Sequence, residues 1–111
     1  MNSLIKVVEK KIVQVAVDAP LNKVFDYEWV ADAQPQEGQI VSLEFGRKKT
    51  IGVIVSISNT TEIEPDKIKA IQGLAPLPPL PRDLIDLANF SATYYQKPLG
   101  EILLSSIPKA W

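Results

Sequence analysis

The sequence predicts a mainly β domain with C-terminal helices: a small OB-like β barrel, a proline-rich connector, then one or two short α-helices. Three observations carry that expectation. Apolar residues alternate or run continuously over residues 12–17 (IVQVAV), 39–45 (QIVSLEF) and 50–58 (TIGVIVSIS), which is strand patterning. Residues 75–81 (APLPPLP) hold four prolines, which neither a helix interior nor a central strand accommodates. Beyond them the apolar side chains switch to helical spacing. With 111 residues the chain is one domain, long enough to bury a core without disulfide staples.

In chain order, residues 1–11 (MNSLIKVVEKK) are charged and weakly patterned, an N-terminal arm with no assigned function; the folded domain spans 12–111. Residues 12–17 are the first strand, with Ile12, Gln14 and Ala16 on one side and Val13, Val15 and Val17 on the other. Asp18, Ala19 and Pro20 break it, and residues 21–25 suffice for one helical turn that Asp18 can cap. A short strand follows at 27–30 and a polar loop at 31–38, ending in Gly38. Residues 39–45 and 50–58 form the next two strands, joined as a hairpin by the glycine-containing turn at 46–49 (GRKK). Gly52 inside the latter strand marks a bulge or a close backbone approach. An acidic loop at 59–66 precedes a short fourth strand on Ile68, Ala70 and Ile71 running through Lys69, so the barrel spans about 12–74. The proline segment is a stiff spacer, although a free peptide of that kind can also dock in an aromatic groove.

Pro81 opens a helix from about Arg82 to Gln96, with Leu84, Ile85, Leu87, Ala88, Ala92 and Tyr95 near one face. Pro98 and Gly100 end that helix. A second helix or turn occupies 101–107, is stopped by Pro108, and closes a helical part at about 81–108. Tyr94 and Tyr95 fall at core-and-rim spacing, and Trp29 and Trp111 are packing residues. The abrupt end at Trp111 suggests a domain edge within a longer protein.

Composition removes several function classes. There is no cysteine and no histidine, hence no thiolate nucleophile, no cysteine- or histidine-bound metal and no imidazole proton shuttle. No phosphate loop, GxGxxG, HExxH, CxxC or GxSxG motif occurs. The chain is therefore read as non-catalytic. No apolar run reaches the ~18 residues of a membrane span, and the N-terminal stretch lacks a signal-peptide pattern, which predicts a cytoplasmic protein with no membrane partner. Twelve basic and thirteen acidic residues give a net charge of −1, so any contact with nucleic acid must be local.

Two short stretches combine a large aromatic with a group able to work on a ligand: Phe25, Asp26, Tyr27 and Glu44, Phe45, Gly46. Phe25 can stack on a base or serve as a core aromatic. Asp26 can accept a hydrogen bond from a hydroxyl or bind turn amides. Gly46 either admits a ligand to the backbone or supplies a turn with positive φ. Lys69 can meet a phosphate or remain a solvated surface charge. Arg47, Lys48 and Lys49 are possible contacts to a DNA backbone, or a solubilising hairpin tip.

Taken in order, several pieces resemble the N-terminal 3′-DNA-binding domain of the bacterial replication-restart helicase family PriA (primosomal protein N′). They are PLNKVFDY after the first strand, the glycine before the second, FG at its end, GVIVSIS, IKAI after the acidic loop, and LANFSATYYQKPLGEILLSSIP. The resemblance runs from about Ile12 to Pro108. It implies a DNA-binding module for the 3′-hydroxyl end of a nascent leading strand at stalled replication forks. It also implies that the terminal-nucleotide pocket falls on Phe25, Asp26, Gly46 and Lys69, with Asp26 accepting a hydrogen bond from the 3′-hydroxyl and repelling the phosphate of an internal linkage. The resemblance further implies a bacterial, nucleoid-associated parent, an ATP-dependent 3′–5′ DNA helicase whose winged helix and helicase lobes lie outside these residues. ATP, Mg and Zn would belong to those absent parts, with no cofactor here. Implied partners are forked or single-stranded DNA, the parent's other domains, the primosome and single-strand-binding proteins. Glu44 departs from the family, which often has proline there; a carboxylate at the pocket weakens phosphate attraction, and the basic turn can offset it. The alternative is a protein-interaction module presenting a barrel edge or its proline segment.

Overall fold

β1 (Ile12–Val17) is buried on both faces and is the strand around which two apolar layers meet. The computed structural model describes residues 11–17, 24–64, 66–95, 98–105 and 107; the expectations for the N-terminal arm, the Asp18 cap, Pro108 and Trp111 lie outside them. On one face Val13, Val15 and Val17 join Tyr27, Trp29, Val41, Leu43, Ile54 and Ile71 in an inner cluster. On the other, Ala16 joins Ile40, Val53 and the helices. A strand covered on both sides needs a nearly continuous apolar run, and IVQVAV is one, interrupted by Gln14 alone.

The other strands are β2 (Phe25–Glu28), β3 (Ile40–Phe45), β4 (Lys48–Ser58) and β5 (Gly73–Leu74), in the order β2-β1-β4-β3-β5. All strand pairs are antiparallel, and two C-terminal helices follow, as a mainly β, OB-like domain requires. The sheet is not closed into a continuous barrel. Instead residues 69–75 serve two edges in succession. The Glu28 N–H donates to the Lys69 carbonyl (2.9 Å) and the Ile71 N–H to the Glu28 carbonyl (3.1 Å); then the Gln72 N–H donates to Ser42 (2.8 Å) and the Ala75 N–H to Ile40 (2.9 Å). Because the segment changes edges so soon, the fourth strand expected through Lys69 reduces to one parallel bridge, Glu28 with Ala70, and the true strand is β5.

Phe25 starts a strand, where a helical turn was expected. The order aromatic, acid, aromatic, acid in FDYE has a period of two, and it sets Phe25 opposite Val15 and Tyr27 opposite Val13 in the antiparallel ladder. That strand ends before the exposed Val30, so it lies two residues earlier than the expected 27–30. The hairpin turn is likewise tighter than GRKK. Phe45 pairs with Lys48, which leaves only Gly46 and Arg47 in the turn, with Gly46 at φ +66°. The bulge is not at Gly52. The ladder skips Val55, between the pairs Gln14–Ser56 and Val15–Ile54. Gly52 instead permits close approach, since a Cβ there would lie 2.4 Å from Val15 Cγ1.

The connector is held by its leucines, Leu77 and Leu80, which pack on the outer cluster while Pro78 and Pro79 stay exposed. α1 (Arg82–Tyr95) buries Ile85, Ala88 and Ala92. Leu87 and Tyr95, expected on that face, are 60% and 68% exposed, and Tyr94 is 69% exposed, so neither tyrosine is core. The buried spacing of three and four residues covers a stripe narrower than the apolar content suggested. Pro98 begins the next helix: it is the N-cap of α2 (Leu99–Leu104), two residues ahead of the expected start, and Gly100 is buried within it. Proline fits there because the first turn needs no N–H from it. Trp29 is buried, with its indole N–H donating to the Ala33 carbonyl at 2.7 Å, in keeping with a packing role. Among the described residues no helix is long and apolar enough to cross a membrane.

Candidate nucleic-acid interface

The edge of β2 is the foundation of the site. Glu28 sends its N–H and carbonyl away from β1, to residues 69 and 71, so by the two-residue alternation of a strand those of Asp26 face the same edge. Phe25 and Tyr27 turn the other way in side chain and pack on the inner cluster. The Phe25 ring meets Phe45 edge-on, with centroids 4.8 Å apart and planes at 62°. This contact brings the end of β3 and the Gly46 turn beside β2, and thereby the two aromatic stretches together.

A cleft of about 230 Å³ opens there, lined by Phe25, Asp26, Tyr27, Phe45, Gly46, Ile63, Lys67 and Lys69. All four residues expected to form a terminal-nucleotide pocket are in that lining, although they are drawn from positions 25, 26, 46 and 69. Gly46 faces open space, with nothing within 4 Å of where a Cβ would lie, and its positive φ is a turn requirement as well. Both readings of Gly46 are thus compatible with its geometry. A larger recess of about 610 Å³ shares Phe25, Asp26 and Ile63 with the cleft and continues along residues 60–62. Asp26 stands in the wall common to both.

Among the described residues, the partners of the Asp26 carboxylate are side chains and not turn amides. Its Oδ1 accepts from Gln14 Nε2 at 3.1 Å and its Oδ2 from Thr61 Oγ1 at 2.6 Å. Lys69 Nζ donates to the Gly46 carbonyl at 2.9 Å and lies 3.9 Å from a Glu44 carboxylate oxygen. Glu44 therefore does not point away from the cleft cation; it is its ion-pair partner, in an exposed pair of the kind worth at most about 1 kcal/mol. Lys48 and Lys49 line a separate depression that has Phe45 as a shared wall, and Arg47 is exposed at the turn. Among the described residues no group of three or more acidic side chains is placed to hold a metal ion.

Comparison with known proteins gives a match to the 3′ DNA-binding domain of PriA over residues 14–108. The chain belongs to this family. It is 34% identical over 99 residues to the replication restart protein PriA of Haemophilus influenzae, covering 88% of this chain and 14% of that protein. It is 35% identical over 97 residues to PriA of Chlamydia pneumoniae, covering 86% and 13% respectively. The chain thus spans about one seventh of the length of the relatives it matches.

In this member of the PriA family, Ile63 and Lys67 line the cleft and Gln14 and Thr61 hydrogen-bond Asp26, four residues that sequence reasoning missed. A signal for Gln14 was available, as the one polar residue in IVQVAV. Thr61, Ile63 and Lys67 carried none, because a loop residue acquires its neighbours only when the fold brings β2 to it.

Tyr27 lines the cleft and ties β2 to the end of β3. Its hydroxyl donates to the Glu44 carbonyl at 2.7 Å, and burial, with a smaller contribution from the Glu44 carboxylate, raises its pKa above the ordinary 10.0. The folded chain then keeps a proton that the unfolded chain releases, so this stabilisation is complete below about pH 10 and is lost as pH rises through the raised pKa. Denaturant midpoints between about pH 8 and 11 should fall more steeply in the native chain than in Tyr27→Phe, which itself loses about 1 kcal/mol at neutral pH. Parallel declines would place the alkaline sensitivity elsewhere.

Proposed function

We propose that the chain is a non-catalytic DNA-binding module of a replication-restart protein, and that its cleft takes the 3′-terminal nucleotide of a DNA strand. The reading is supported above all by the convergence of Phe25, Asp26, Gly46 and Lys69 on one 230 Å³ cleft. Asp26 accepts a hydrogen bond from the free 3′-hydroxyl; at an internal position a phosphate would replace that hydroxyl and meet the carboxylate's charge. Phe25 offers a ring to the terminal base, tolerant of its identity. Gly46 leaves room for a sugar or base against the backbone. Lys69 exchanges its contact with the Gly46 carbonyl for the phosphate on the 5′ side of the last nucleotide. Arg47, Lys48 and Lys49 lend affinity along the backbone without reading sequence.

The module's place is at the nascent leading-strand end of a stalled fork, in a bacterial cytoplasm. The rest of the parent supplies an ATP-dependent helicase with its nucleotide and metals, and the contacts to the primosome and single-strand-binding proteins.

The test compares a short oligonucleotide ending in a 3′-hydroxyl with the same strand ending in a 3′-phosphate. The hydroxyl end should bind more tightly, and Asp26→Ala should weaken it by about tenfold or more, the cost of a hydrogen bond to a charged group. Equal affinity of the native chain for the two ends would sink this reading.

A further inference from the structure

Asp26 is held from both sides by groups that no DNA contact requires. In the β1–β2 ladder Gln14 lies directly opposite Asp26, in the kind of pair whose backbone groups point outward and whose side chains stand closest. Gln14 is itself oriented. Its Oε1 accepts from Ser56 Oγ at 2.8 Å, and its Nε2 donates to Ser58 Oγ at 3.2 Å as well as to Asp26. An amide with its oxygen committed to a hydroxyl donor must present its NH₂ to the carboxylate.

Thr61 closes the other side. Its hydroxyl donates to Asp26 Oδ2 at 2.6 Å and accepts from the Ile63 N–H at 3.1 Å. That backbone donor occupies the hydroxyl's acceptor side and directs its proton to the carboxylate. Ile63 lines the cleft itself, so a single hydroxyl ties the carboxylate to a loop that also lines the cleft.

We propose that Thr61, backed by Gln14, is a positioning residue that sets the end selectivity of the cleft by locking the Asp26 carboxylate across it. This rests on the reading of the cleft as a 3′-end pocket. A carboxylate offers about four acceptor positions; the two locking bonds use one on each oxygen and leave the others for a ligand hydroxyl. Freed from Thr61, the side chain gains a rotation about its terminal bond, and a carboxylate that can turn aside rejects a phosphate poorly.

The experiment measures, for the 111-residue chain, the ratio of dissociation constants for a 3′-phosphate and a 3′-hydroxyl oligonucleotide. In Thr61→Val, which keeps the shape and removes the hydroxyl, the ratio should fall about tenfold toward one. Thr61→Ser should restore it to within about threefold of the native value, since both hydroxyl bonds return. Gln14→Met, of similar length without an amide, should lower it in the same direction. A native ratio of one removes the pocket reading itself. A native ratio well above one that survives unchanged in Thr61→Val leaves the pocket standing and overturns the positioning role. A loss in Thr61→Ser equal to that in Thr61→Val also overturns it, by assigning the effect to the loop.

Discussion

Gly38→Ala is expected to destabilise the domain by about 3 kcal/mol and to lower its melting temperature by roughly 10 °C or more. Two independent causes act at this residue. Its φ of +89° lies where a residue with a Cβ is strained, at about 1 kcal/mol or more. In addition the new Cβ would sit 2.2 Å from the Leu80 carbonyl oxygen and 3.0 Å from its nitrogen, both backbone atoms that no rotamer change can move. Gly38 cannot retreat. Its N–H donates to the Ile54 carbonyl at 2.7 Å and its own carbonyl accepts from the Leu80 N–H at 2.8 Å, so it is pinned between β4 and the connector. The connector must therefore lift off, taking Leu77 and Leu80 from the outer cluster. Thermal denaturation followed by circular dichroism measures the cost; a shift of under about 3 °C would mean that the connector is free to slide.

The same contact shows what the sequence could and could not disclose. Gly38 and APLPPLP were each legible, as a turn glycine and a stiff spacer, but their meeting was not, since 42 positions separate Gly38 from Leu80. Long apolar runs were readable because their burial follows from local pattern: β1, β3 and most of β4 fall where alternation puts them. Short elements were misread for the same reason in reverse. FDYE has only four residues of pattern, and β5 has two, so their strand character comes from the edges of β1 and β3 that receive them. For the site, the resemblance supplied Phe25, Asp26, Gly46 and Lys69, and the fold supplies what gathers them: the Phe25–Phe45 contact and the clasp at residues 69–71. The partners of Asp26 lie at positions 14 and 61, and only a folded sheet makes them neighbours.

Leu103→Ala should cost about 2 to 5 kcal/mol while leaving end selectivity intact. Leu103 is fully buried in α2, in the cluster with Ala16, Ile40, Val53, Ile85 and Ala88, so its truncation leaves a cavity between the helices and the sheet. The cleft is built from the opposite layer. Phe25, Tyr27 and Phe45 pack on the inner cluster, and the remaining lining is Asp26 of β2, Gly46 of the β3–β4 turn, and Ile63, Lys67 and Lys69. What joins the two layers is the backbone of β1, β3 and β4, which a side-chain cavity on one face does not re-register. Urea midpoints should therefore drop sharply, while the 3′-phosphate to 3′-hydroxyl ratio, read at a temperature and concentration where the variant is folded, stays at the native value. Loss of selectivity in a folded Leu103→Ala chain would mean that the helices set the curvature of the sheet and, through it, the distance between Asp26 and Lys69. Retention would confine the helices to stabilising a site they do not touch.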